Sequence, residues 1–145
     1  MAALVVSLSS RKARDPSVAG GKGAGLARLN RSGFPVPPGF VITTAAFREP
    51  LKLGAGLANG LNLEAARRLC LKWPIPSRLR RSIFRARRRL GPGPVAVRSS
   101  LVGEDSGAAS FAGQLETVLD VEGDDALLEA VRRVLASAFS ERLRA

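Results

Sequence analysis

Residues 20–47 read GGKGAGLARLNRSGFPVPPGFVITTAAF, and the succession of glycine, helix, proline and strand signals within them decides the architecture. Glycines at 20, 21, 23 and 25 crowd the start, and Ala24, Leu26, Ala27 and Leu29 then give a helical period. Gly33 closes that helix as the residue beyond its C-cap. Pro35, Pro37 and Pro38 stiffen a connection into a buried strand over residues 40–42. Thr43 or Thr44 is predicted to cap the next helix, and Pro50 to limit its length.

Outward from this stretch, strand and helix signals alternate. A Val-rich run over residues 3–8 predicts a first strand. Residues 51–61 carry three glycines and read as a loop. Asn62 opens a short helix that Pro74 ends, and Ser77 caps another that Gly91 and Pro92 stop. Residues 94–100 (PVAVRSS) read as a strand running into a loop, and residues 115–121 as a second strand. Asp124 is predicted to cap a final helix, with Leu127, Val131, Val134, Leu135 and Ala138 on one face, running to Ala145 without a stop signal. The alternation predicts an α/β (α+β) fold, a small sheet with packed helices.

Composition bounds the function. The 145 residues suit one domain, and 46% hydrophobic with 24% charged residues is the balance of a globular chain. The longest uncharged stretch, residues 32–47, is interrupted by three prolines, so no membrane span is expected. No basic segment precedes the first apolar run, which argues against a secretory signal. Arg11, Lys12 and Arg14 imitate a transit peptide, but the glycine motif already begins at Gly20. The lone Cys70 rules out an intramolecular disulfide, and a cytoplasmic protein is expected. With no histidine, the chain has no Ser-His triad, no His-ligated metal and no phosphohistidine, and one cysteine cannot build structural zinc. Lys, Arg, carboxylates, hydroxyls and backbone amides remain, a set suited to phosphate.

The net charge of +11 invites a nucleic-acid reading. Seven of the 23 lysines and arginines lie between Arg78 and Arg89, where Leu79, Ile83, Ala86 and Leu90 form one helical stripe. An amphipathic helix with a solvated arginine face is the preferred reading. Aromatic residues, the stacking platforms of single-strand binders, are scarce: six Phe, one Trp and no Tyr.

Two clusters bear on chemistry. In the first, glycines around Lys22 let backbone amides approach an anion at a helix start. It is not a P-loop, because Pro16 and Gly23 occupy the positions of the leading glycine and the hydroxyl residue. Nor is it a dinucleotide fingerprint, because Leu26 replaces the third glycine. In the second, VAVRSSLVGEDSGAASFAGQLETVLDV at residues 95–121, Arg98 ends a strand before a loop of small residues. A strand-end arginine can clamp a phosphate through its fork of donors. Pairing of Arg98 with Glu104 or Asp105 in a plain connecting loop stands beside that reading.

Together these blocks, in this order, resemble the N-terminal ATP-binding part of the phosphoenolpyruvate synthase and pyruvate, phosphate dikinase family. The final stretch, LLEAVRRVLASAFSERLRA at residues 127–145, resembles the segment that follows them, and residues 49–90 are the least specific portion. Rifamycin phosphotransferases and glucan, water dikinases share this ATP-grasp-like domain, so the resemblance fixes the nucleotide more firmly than the acceptor. It implies that Lys22 and Arg98 contact ATP phosphates, and that Gly113 and Thr117 fall where a flexible loop closes over the nucleotide. Ser99, Ser100, Glu104 and Ser110 are implied supports.

In that family the Mg²⁺ carboxylates and the adenine-gripping residues lie further downstream, beyond residue 145. The phosphohistidine domain and the barrel that takes pyruvate or phosphoenolpyruvate lie outside this sequence too. The resemblance therefore implies that residues 1–145 are a partial ATP-binding domain, the N-terminal subdomain of an ATP-grasp-like fold. It would use ATP and Mg²⁺ with the missing half and a phosphohistidine domain, in cis or in trans, and would not complete the conversion of ATP to AMP and phosphate alone. The rival readings are a non-catalytic interaction module docking onto the missing portion, a rifamycin phosphotransferase-like ATP-binding piece, and, less favoured, nucleic-acid binding through the arginine helix.

Overall fold

In the computed structural model, residues 2–100 and 116–139 are described, and they divide between two compact units that each collect separated stretches of chain. The first unit takes the chain up to Ala46, Pro76–Pro92 and Ser100; the second takes Phe47–Ile75, Gly93–Ser99 and the described residues from 116 onward.

In the first unit, β1 (Val5–Ser7) and β2 (Phe40–Ile42) pair antiparallel, with Val6 opposite Val41. The ladder continues past both ends, because the Leu8 amide donates to the Gly39 carbonyl and the Thr43 amide to the Leu4 carbonyl. Thr43 is buried but satisfied, its hydroxyl donating to the Ala3 carbonyl at 2.8 Å. Thr44 donates its hydroxyl to the Ser17 carbonyl, so neither threonine side chain caps a helix as expected. Val6, Ala13, Ala19, Ala27 and Val41 form the core, with Ala3 and Leu8 against it.

Helix α1 (Pro16–Arg31) starts before the glycine cluster. Asp15 is its N-cap, accepting from the Ser17 amide and hydroxyl, and Pro16 supplies the fixed φ favoured at the first position. These two hydrogen bonds, hydroxyl first, hold the Asp15 carboxyl below its ordinary pKa. Gly20, at φ 76° and ψ 175°, breaks the helix one turn in. Gly33 ends it as expected, at φ 90°.

Helix α4 (Ser77–Arg89) packs on β1 and β2. Leu79 and Ile83 are buried while Arg78, Arg80, Arg81, Arg85, Arg88 and Arg89 are exposed, as the sequence stripe predicts. Its N-cap is Pro76, not Ser77, whose hydroxyl accepts from the Arg80 guanidinium.

In the second unit, α2 (Arg48–Asn59) and α3 (Leu63–Leu71) pack together, and α3 packs on α5 (Asp124–Ala136). The expected loop at 51–61 is therefore mostly helix. Pro50 sits in the first turn of α2, where its missing N–H costs nothing, and so does not end it. Gly54 is buried because the Phe139 ring lies against it; a Cβ there would come within 2.6 Å of ring carbons. Asn62 caps α3 as expected, accepting from the Ala65 amide at 3.0 Å. Gly123, not Asp124, is the N-cap of α5, and Leu127, Val131 and Leu135 are its buried face. The helix ends at Ala136 in a 3-10 turn over Ser137–Phe139.

A second antiparallel pair, β3 (Val95–Arg98) and β4 (Thr117–Val121), lies beside α5. Its register shifts between Val95 and Val97: β4 carries an extra residue there, and Asp120 takes φ 55°. The mixed α/β class holds, with the strands forming two small antiparallel pairs instead of one sheet.

Candidate functional site

The glycine cluster owes its shape to Gly20. At φ 76° a side chain is disfavoured, and a Cβ would lie 1.3 Å from the Ser100 carbonyl oxygen. The break ends one helical turn and starts another, and Lys22 stands half-buried in the first turn of the new run. Among the described residues no carboxylate pairs with Lys22.

Ser100 reaches this break from 77 residues away. Its hydroxyl accepts from the Gly23 amide at 2.6 Å and donates to the Ala19 carbonyl at 2.6 Å. One side chain thus joins the last carbonyl before the break to an amide after it. Gly23 has little room either: a Cβ would meet the Ser100 Oγ at 3.0 Å and the Val41 Cγ2 at 3.2 Å. The family resemblance implies only a supporting place for Ser100, and no local signal marks so distant a hydrogen bond.

In the second unit, Arg98 is the exposed last residue of β3 and stands opposite Thr117 of β4. Two residues singled out nineteen positions apart are thereby cross-strand neighbours, which sit on the same face of an antiparallel pair. Ser99 is buried. Glu104, Ser110 and Gly113, with the Arg98–Glu104 or Arg98–Asp105 pairing, lie outside the described residues.

The cationic and backbone donors suit a phosphate-bearing ligand. Among the described residues no three metal-ligating side chains cluster. No described helix is long and apolar enough to cross a membrane.

Comparison with known proteins bears on the ligand. The family model described as pyruvate phosphate dikinase, AMP/ATP-binding domain, matches residues 16–144. The chain is 41% identical over 143 residues to the prodigiosin synthesizing transferase PigC of Serratia marcescens, covering 96% of this chain and 16% of that protein. It is 37% identical over 147 residues to a phosphoenolpyruvate synthase of Aeropyrum pernix, covering 85% of this chain and 18% of that protein. A rifampicin phosphotransferase of a Streptomyces species is 37% identical over 157 residues, covering 96% of this chain and 18% of that protein. The chain thus spans under a fifth of the length of each of these relatives.

Proposed function

This chain belongs to the pyruvate phosphate dikinase AMP/ATP-binding domain family, and from that premise we propose that it binds ATP as the N-terminal part of a dikinase-type phosphotransferase. Lys22 and Arg98 each supply a cation to the phosphates, and the amides at the α1 break supply neutral donors. Such fixed donors neutralise and orient a triphosphate, which is most of what phosphoryl transfer asks of a protein. Ser99 and Thr117 flank Arg98, and Glu104 and Gly113, outside the described residues, are assigned to the same nucleotide. ATP brings the phosphoryl group, and Mg²⁺ is held by groups other than the described residues. The acceptor step falls to further parts of the enzyme, a phosphohistidine domain among them, in cis or in trans, in the cytoplasm.

The observation that carries this reading is the pair of Ser100 hydrogen bonds. They bring Ser100, the last residue of the VRSS run, onto the GGK turn within the first unit.

The test is a calorimetric titration with Mg-ATP. The parent chain is expected to saturate, and Lys22→Ala and Arg98→Ala each to weaken binding by about 10-fold or more with unchanged melting, as loss of a charge-assisted hydrogen bond implies. Unchanged affinity in both variants would overturn the site assignment. No binding by the parent up to millimolar ATP would favour a non-catalytic interaction module.

A further inference from the structure

The Ser100 hydroxyl is placed where a cap would be, yet it comes from a remote strand exit instead of the residue before the helix. It spans the Gly20 break, with the Ala19 carbonyl on one side and the Gly23 amide on the other, each at 2.6 Å. The Ser100 carbonyl oxygen occupies the space beside Gly20 that a side chain would need. Gly20 and Gly23 are therefore both pinned to Ser100, and Lys22 lies between them. Val41 and Ala19 also crowd Gly23, leaving a Cβ there only 3.2 and 3.3 Å. Gly23 thus lies close to Val41 of β2, and the hydroxyl ties the turn to Ser100.

We infer that Ser100 is a positioning residue: by bridging the break at Gly20 it fixes the backbone turn that carries Lys22, and so sets where the lysine meets phosphate. The inference rests on the proposed role of Lys22 in ATP binding. Without the hydroxyl, the Gly23 amide and the Ala19 carbonyl lose a partner together, the turn gains alternative conformations, and ordering it becomes a cost of binding. Serine is well suited to this place. It donates and accepts through one atom, and it is small enough to sit against a glycine backbone.

A double-mutant cycle separates this role from a merely structural cap. Mg-ATP affinity is measured by calorimetry for the parent, Ser100→Ala, Ser100→Thr, Lys22→Ala and the Lys22→Ala/Ser100→Ala pair, with a thermal melt of each. Ser100→Ala is expected to weaken binding about tenfold while remaining folded at the titration temperature. Ser100→Thr, which keeps the hydroxyl, is expected to return to within about threefold of the parent. In the Lys22→Ala background, Ser100→Ala should cost clearly less than in the parent, because the lysine it positions is gone and only the amides of the break remain to be disordered. Parent-like affinity in Ser100→Ala, an undiminished loss in the Lys22→Ala background, or a folded Ser100→Thr as weak as Ser100→Ala would each overturn the inference. Should Ser100→Ala not fold, Ser100→Cys, with a weaker donor and acceptor on a longer bond, takes its place under the same criteria. The two readings fail differently. Unchanged affinity in Lys22→Ala removes the role of Lys22 and the inference built on it. A weakened Lys22→Ala beside an unaffected Ser100→Ala removes the inference alone.

Discussion

Cys70 lies on α3 with no exposed surface, and burial pushes its thiol from 9.0 up to about 11. The folded state therefore keeps the proton between those values while an unfolded chain releases it. Stability is full below pH 9 and declines as the pH rises from there to 11, by on the order of 2 kcal/mol from this group. Cys70→Ala should remove that part of the alkaline decline while costing some stability at every pH through the cavity it leaves. Urea midpoints of both chains between pH 7 and 11 measure this; parallel curves would show that the thiol does not titrate differently on folding. At neutral pH the same burial should keep the thiol inert to disulfide reagents until the chain opens. Nothing local marks Cys70 as buried beyond its being cysteine, whereas Leu79 and Ile83 announce their burial by spacing.

Helix α2 shows how an element escapes a local reading. Three glycines and a proline within fourteen residues argue for a loop, because each lowers helix propensity. The chain is helical there because Pro50 falls in the first turn and because Gly54 admits the Phe139 ring, a contact with a residue 85 positions away. Two glycines of this helix should consequently respond in opposite senses. Gly56 is exposed with open space around it, so Gly56→Ala should stabilise the chain by about 0.5–1 kcal/mol. Gly54→Ala should destabilise it by about 1–3 kcal/mol, since the ring must move or the helix must shift. Urea midpoints for the two variants check this, and a gain in both would mean that Phe139 does not restrain α2. The strands were easier to read: the Val-rich runs at β1, β3 and β4 alternate or cluster as strands do, and the structure trims them by a residue or two. The start of α3 was legible at its capping side chain, Asn62, whereas the start of α1 at Asp15 and Pro16 was hidden by the glycine cluster that follows it. The caps of α4 and α5 slipped by one, where Pro76 or Gly123 does the work through backbone shape alone. Of the candidate site, the glycine and serine blocks were legible as chemistry, but their junction through Ser100 was not, because a hydrogen bond across 77 residues leaves no periodic trace.

Across the whole molecule, a net charge of +11 on 145 residues means that like charges repel more than they pair. The described ion pairs, Arg67 with Glu64 and Arg133 with Glu116, are partly exposed and offset little of this. Salt should therefore stabilise the fold. Raising ionic strength from 0.01 to 0.15 M shortens the screening length from about 30 to about 8 Å, and the melting temperature should rise by a few °C, roughly. A flat or falling melting temperature would show that the arginine face of α4 is neutralised by neighbours. Chain connectivity also bears on how this molecule is made. The amide of Gly23 and the carbonyl of Ala19 wait for a hydroxyl 77 and 81 residues further along, so the start of the glycine helix cannot be completed while the ribosome is still short of residue 100. At about 5–20 residues per second that interval lasts roughly 4–16 seconds, during which the nascent segment holds an unfinished turn. A product cut short before Ser100 would keep the GGK block yet lack the group that closes it, making this turn the last described part of the first unit to be completed.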